Sequence, residues 1–263
     1  MKLTFLGTGT STGIPVLGCR CRVCLSTDRR DMRLRCSSLI TTDDGRHILI
    51  DCGPDIRTQL LANDVRSIDS VLITHSHYDH VGGLDDLRTL SYENPVEIFC
   101  TADVAADIRR LMPYCFSGKN YPNIPRLTLT VIKPYVPFQT CGVRFEPLRV
   151  RHGQLPIVGY LFGSTAYLTD ATEIPAESLD LLSGLDVLII NALRITPNPT
   201  HMNLAEALSV IKAVSPRQAY LIHMSHQMGG HAEASLRLPP GVEFAYDNLT
   251  ITLGEWPDQS CRC

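Results

Sequence analysis

Short apolar runs rich in branched residues alternate along the chain with amphipathic stretches, the pattern of strands interleaved with helices. In the first half, strands are expected at residues 2–6, 38–42, 47–51, 70–74 and 96–100. A second set is expected at 127–132, 143–150, 159–162, 166–169, 187–191 and 219–223. A closing pair at 243–245 and 249–253 is joined by Tyr246, Asp247 and Asn248, residues suited to a hairpin turn. Helices are expected at 54–62 and 175–182, each opened by a proline that fits a first turn, and at 102–112, which is amphipathic. A fourth, at 203–214, has Asn203 as its cap and Glu206 three residues later. Two groups of strands with helices spread between them imply an α/β architecture of two sheets packed face to face with helices outside. No repeat, linker or low-complexity segment interrupts residues 1–253, which read as one domain, and the tail from Gly254 to Cys263 looks dispensable for the fold.

Composition narrows the class. The 263 residues are 44% hydrophobic and 19% charged, an ordinary globular balance that excludes disorder, coiled coil and collagen. No apolar run reaches the roughly 18 residues of a membrane span, and Met1 opens directly into a strand-like run, so a soluble cytoplasmic chain with no membrane partner is expected. The net charge of -3 offers no general attraction for polyanions; nucleic acid is a possible partner but not the favoured one. Ten cysteines in such a chain suggest metal binding before a disulfide framework. Cys36, Cys52, Cys100, Cys115, Cys141, Cys261 and Cys263 are scattered, and those inside strand-like runs read as small buried hydrophobes.

The most informative segment is His75-Ser76-His77-Tyr78-Asp79-His80, immediately after an apolar run. Four metal-competent side chains in six residues, where a strand ends, can converge on one or two ions. His75 and His77 project together, while Asp79 and His80 open the next helix and can face a second ion. His152, Asp170 and His223 each stand where a strand hands over to a loop, and together these seven residues supply a binuclear centre. Two divalent ions roughly 3.5–4 Å apart sharing a water lower its pKa enough to provide hydroxide near neutral pH, so hydrolysis is implied. Asp79 could instead act as a general base, although a ligand role suits its place in the run better.

Cys19, Cys21 and Cys24 form a second cluster, C-x-C-x2-C, whose spacing suits thiolates wrapped around one zinc. His226, three residues beyond His223, is the best available fourth ligand, since His47 and His231 alone are otherwise unexplained. The bland alternative is three reduced surface cysteines on a Gly- and Arg-rich loop. A structural zinc there would tie the loop, residues 14–36, to the edge of the catalytic centre.

The HxHxDH run followed by an isolated His, Asp and His at strand ends resembles the metallo-β-lactamase superfamily across residues 1 to about 253. The resemblance implies an αββα four-layer sandwich of two mixed sheets, with His75, His77 and His152 on the first ion, Asp79, His80 and His223 on the second, and Asp170 bridging. The stretches LGTGTSTGIPVLGCRCRVC, HSHYDHVGGL, YLTD, HMNL and LIHMSHQ are similar to the PhnP-like cyclic phosphodiesterases, which carry a structural zinc beside the binuclear site. That resemblance implies that His201 is a catalytic histidine protonating the leaving oxygen; its own context reads equally as a surface residue at a helix start.

A phosphodiesterase cleaving a small, possibly ribose cyclic, phosphodiester is therefore the leading expectation, with two catalytic ions of zinc, manganese or iron and one structural zinc. Relatives suggest a homodimer. The alternatives are an RNA-processing endonuclease of the tRNase Z type, which the N-terminal LGTGTSTG also resembles, and a thioester or lactone hydrolase using the same ions. The tRNase Z type needs a basic arm, and the basic stretch at 29–35 is short, as readily a solvated face as a phosphate contact.

Overall fold

In the computed structural model, which describes residues 1–117 and 123–254, fourteen strands form two sheets of seven. The first sheet contains β1 (Lys2–Gly7), β2 (Ser37–Thr41), β3 (His47–Ile50), β4 (Ser70–Leu72), β5 (Val96–Cys100), β6 (Leu127–Val131) and the last strand, β14 (Thr250–Thr252), in the order β14-β1-β2-β3-β4-β5-β6. The second contains β7 (Phe138–Thr140), β8 (Val143–His152), β9 (Leu155–Phe162), β10 (Thr165–Leu168), β11 (Val187–Asn191), β12 (Gln218–Ile222) and β13 (Val242–Phe244), ordered from β13 down to β7. Both sheets are mixed: β3 to β6 and β10 to β13 are parallel, the others antiparallel.

Period-2 alternation explains the layers. In β3, Ile48 and Ile50 join Phe5, Leu72, Tyr160 and Ile189 between the sheets, while Leu49 faces out under the helices. In β11, Val187 and Ile189 face in, and Leu188 and Ile190 face out. Strands buried on both faces therefore read as continuous apolar runs. Helices α1 (Ile56–Ala62), α2 (Tyr78–Val81), α3 (Ala102–Leu111) and α4 (Pro113–Phe116) follow strands of the first sheet, and Ile56, Leu60, Val81, Val104 and Ile108 cover its outer face. Helices α5 (Ala176–Asp180), α6 (Leu204–Val214) and α7 (His231–Ser235) belong to the second half, where Leu204, Ala207, Ile211 and Ala234 close the other face. This is the expected four-layer α/β sandwich. The capping box at Asn203 and Glu206 is formed as the sequence implies.

One local expectation is corrected. The closing pair is not a hairpin: β13 runs parallel to β12 in the second sheet, and β14 pairs with β1 in the first. The chain crosses between sheets at Tyr246–Asn248 because the Asp247 carboxylate accepts hydrogen bonds from Thr8 N, Thr8 Oγ1 and Leu34 N at 2.7–2.9 Å. Edge strand β7 lies outside the expected strand ranges. It is three residues long, just after Pro137, and closes onto β8 through Cys141 and Gly142, both at positive φ. No helix among the described residues is long and apolar enough to cross a membrane. Cys261, Cys263 and the rest of the tail after Gly254 lie outside the described residues.

Candidate metal centre

The chemistry collects at one end of the sandwich, where strands β3, β4, β8, β10 and β12 finish. Asp51 follows β3, His75 lies just beyond β4, His152 ends β8, Asp170 follows β10 and His223 follows β12. Asp51, Asp170 and His223 have φ of 60°, 56° and 55°. Asp and His tolerate this left-handed region better than most side chains, and the backbone turns there sharply enough to aim each side chain into the space between the sheet ends.

All seven expected ligands converge. His75, His77 and His152 form one group, His75, His80 and Asp170 a second, and Asp79, His80 and His223 a third, each with its ligand atoms within 4.8 Å of one another. All are buried except His77, which faces solvent. His201 joins them: its ring stacks on His223 with centroids 5.0 Å apart, and its Nε2 lies 3.0 Å from Asp170 Oδ1. The reading of His201 as a surface residue at a helix start is thus overturned, because Met202 N and O are pinned to Ala171 O and Leu193 N and the preceding histidine is turned inward.

The donor set fits metal ions. His75 Nε2, His80 Nε2 and His223 Nε2 are buried without a hydrogen-bond partner, an expensive condition for a polar nitrogen in a protein interior. Carboxylate oxygens are near but are not aligned as hydrogen bonds: His80 Nε2 is 3.3 Å from Asp79 Oδ2 and 3.3 Å from Asp170 Oδ2, and His223 Nε2 is 3.1 Å from Asp170 Oδ1 and 3.6 Å from Asp79 Oδ2. Two ligand atoms held about 2.0–2.1 Å from one tetrahedral ion stand roughly 3.3 Å apart, which is this spacing.

The far sides of the rings are fixed. His80 Nδ1 donates to Asp51 Oδ2 at 2.7 Å and His152 Nδ1 donates to Thr200 O at 2.6 Å. Carboxylate and carbonyl oxygens only accept, so both rings carry a proton on Nδ1 and turn Nε2 to the centre, the atom that is a lone pair when the ring is neutral. Asp51 also accepts from Thr74 N at 2.8 Å and from Thr74 Oγ1, so it is held from two sides. Burial pushes His75 down, so it favours the neutral form a ligand needs. For His80, burial alone would do the same, but the Asp170 and Asp51 carboxylates outweigh it and hold the imidazole well above its ordinary range. Burial would raise Asp170, yet His223 and His80 pull it well below the carboxylate range.

The cysteine cluster also assembles. Cys19, Cys21 and Cys24 place their Sγ atoms 3.3, 3.5 and 3.3 Å from His226 Nδ1. Sulfur at about 2.3 Å and nitrogen at about 2.0–2.1 Å from one tetrahedral zinc would be roughly 3.6 Å apart. The Cys24 amide donates to Cys21 Sγ, and this backbone bond lowers the Cys21 thiol to about 6, while burial raises Cys24 to about 11.

Sequence reasoning missed Asp51, Thr74 and Thr200, the residues that aim the ligands. Asp51 carried a usable signal, since it follows an apolar strand in the same way as Asp170. The basic stretch at 29–35 is not one solvated face. Arg30 is exposed and paired with Asp28, and Arg35 is paired with Asp55. Arg33 is buried, donating to Thr8 Oγ1, Ala245 O and His231 Nδ1, which also accounts for His231. His47 sits at a strand start with Nδ1 on Ser67 O.

Residues 46–224 match the family described as beta-lactamase superfamily domain. A solved structure described as a new diphosphatase from the PhnP family is 37% identical, with a TM-score of 0.89, and the match covers 95% of this chain and 96% of that one. Zinc-bound PqqB from Methylobacterium extorquens shares the fold at 19% identity and a TM-score of 0.78, covering 96% of this chain and 100% of that one. A protein of Porphyromonas gingivalis named octanoyltransferase is 44% identical over 256 residues, 97% of this chain but 52% of the relative, so the chain spans about half of its length.

Proposed function

The chain belongs to the β-lactamase superfamily and, within it, to the PhnP family, and from that premise we propose a binuclear metal-dependent hydrolase acting on a small phosphodiester. The observation that carries the reading is the set of buried, unpartnered Nε2 atoms on His75, His80 and His223 facing Asp79 and Asp170. His75, His77 and His152 would hold one divalent ion, Asp79, His80 and His223 a second, with Asp170 between them; Cys19, Cys21, Cys24 and His226 would hold a structural zinc in the 14–36 loop. The paired ions, when bound, supply Lewis acidity and a water acidic enough to attack near neutral pH.

The remaining work belongs to the chain. Asp51 and Thr200 O hold the Nδ1 protons of His80 and His152, so each ring keeps Nε2 toward the centre as the ligand atom. His201 Nε2, 3.0 Å from Asp170 Oδ1, is placed to deliver a proton to the departing oxygen, while Thr200 Oγ1, 2.9 Å from Nδ1, fixes the ring; burial lowers the imidazole, so it gives up its proton readily. The seven ligand side chains come from strand ends and one short helix, so the centre is held on rigid supports.

A phosphoryl substrate is preferred because the PhnP-family structure, matched along nearly all of both chains, is itself described as a diphosphatase, and the phosphodiester within that class follows the resemblance of HSHYDHVGGL, HMNL and LIHMSHQ to the PhnP-like cyclic phosphodiesterases. Thioester hydrolysis is the second reading, favoured by the Porphyromonas gingivalis relative, whose name concerns an acyl group. An RNA-processing role is disfavoured because Arg33 is buried and Arg30 and Arg35 are paired, which leaves Arg29 alone, among the described residues, as an exposed arginine without an ion pair at 29–35. Hydrolysis of bis(4-nitrophenyl) phosphate by protein loaded with zinc or manganese, beside an octanoyl thioester and a lactam, tests the choice. Phosphodiester cleavage at least about a hundred-fold faster than the others is expected; thioester turnover without phosphodiester cleavage overturns it.

A further inference from the structure

The metal run has an outer side that the hydrolytic reading leaves unused. Ser76 and Tyr78 flank His77 and point into a cleft of about 460 Å³ whose other lining residues are Val81, Asp107, Arg110 and Leu111. This volume falls in the range of small-molecule sites, about 300–1,000 Å³. Helix α3 forms the far wall and is tied to the run, because Ser76 Oγ donates to Asp107, which in turn pairs with Arg110 one turn later.

Tyr78 is unusual for a residue beside a buried ligand set: it is 64% exposed. It is not loose. A Cβ on Gly82 would come within 2.8 Å of two of its ring atoms, so that edge of the ring packs against the Gly82 backbone while the rest of the ring stays open to solvent. The cleft therefore offers an anchored aromatic face, the planar guanidinium of Arg110, the partly exposed Leu111 and, from Asp107 and Ser76, hydrogen-bonding groups at the edge. A bare sugar or phosphate would leave the aromatic and aliphatic walls unmatched. A flat heteroaromatic ring suits this set, with an aromatic surface at Tyr78 and a guanidinium at Arg110 for its faces and Asp107 and Ser76 for its polar edge.

Resting on the phosphodiesterase reading, we propose that Tyr78 and Arg110 form a specificity subsite for a nucleobase carried by the substrate, placing its phosphate at the His77 side of the metal centre. Calorimetric binding of adenosine 5′-monophosphate and of ribose 5-phosphate to the zinc-loaded protein tests this without turnover, since the two probes share the sugar and the phosphate and differ at C1, adenine against hydroxyl. Adenosine monophosphate is expected to bind at least about five-fold more tightly. Tyr78→Ala should abolish that difference and Tyr78→Phe should keep it, with metal content unchanged in both. Arg110→Ala, on the opposite wall and away from the ligands, should narrow the difference too, which tests the cleft even if Tyr78→Ala disturbs the run. Equal binding of the two probes, or a difference that survives both alanine variants, overturns the proposal. Turnover of thymidine 5′-(4-nitrophenyl phosphate) against methyl 4-nitrophenyl phosphate separates the two readings. If neither ester is cleaved while the base still matters for binding, the phosphodiesterase reading fails and the subsite stands. If both are cleaved and Tyr78 does not discriminate between them, the reverse holds.

Discussion

Replacing Asp51 with asparagine changes one atom and should disturb both the fold and the centre. Asp51 is fully buried and faces only donors: His80 Nδ1 at 2.7 Å, Thr74 N at 2.8 Å and Thr74 Oγ1 at 2.9 Å from its nearer oxygen. An amide has one acceptor oxygen and one NH2, so in either orientation a donor is set against a donor. Leaving a buried donor unpaired costs about 1–3 kcal/mol. At about 2–4 °C per kcal/mol for a chain near this size, the metal-free Asp51→Asn protein should melt roughly 2–12 °C below the wild type. If the amide turns its NH2 toward His80, the ring escapes by moving its proton from Nδ1 to Nε2, the atom that must be a lone pair for a metal. Removing such an orienting partner typically weakens metal binding by about 10–100-fold. Zinc titration against a competing chelator, beside thermal melts of the chelated protein, measures both effects. Unchanged zinc affinity together with an unchanged melt would refute the role given to Asp51.

Three further outcomes are expected. Cys21→Ser should lower bound zinc by one ion per chain and reduce the melting temperature, read by elemental analysis and calorimetry; full zinc retention would remove the cysteine site. His201→Ala should slow phosphodiester turnover by about 10²–10⁴-fold with metal content intact, as measured by steady-state kinetics on the loaded protein. His231 accepts from the Arg33 guanidinium, and burial holds its imidazole down at about 4, below the ordinary value of 6.5. The neutral ring therefore contributes stability that is complete above pH 6.5 and lost as pH falls through about 4, so melts across that window should show a steeper acid decline in wild type than in His231→Gln.

The ligands were legible because their signal is local. His75, His77, Asp79 and His80 sit within six residues, and His152, Asp170 and His223 stand at strand ends that the apolar runs already mark. The residues that aim them were harder to see: Asp51 follows an apolar strand as Asp170 does, but its role as an orienting group comes from His80 and Thr74, 29 and 23 positions away. Arg33 reads as part of a basic stretch, yet its partners Thr8, His231 and Ala245 come from three distant parts of the chain that bury it. The closing hairpin failed for the same reason. Tyr246-Asp247-Asn248 has turn chemistry, but pairing is decided by β12 and β1, and Asp247 spends its carboxylate bridging Thr8 and Leu34. Edge strand β7 is too short for periodicity to register.

The most direct test is a zinc titration of chelator-stripped protein with metal content and bis(4-nitrophenyl) phosphate hydrolysis followed together. Three ions per chain are expected at saturation, one at the cysteine cluster and two at the histidine and aspartate centre, with hydrolysis rising only as the latter pair fills. Phosphodiester hydrolysis that needs no added metal, or a centre that fills with two ions and leaves the phosphodiester intact, would contradict a binuclear phosphodiesterase.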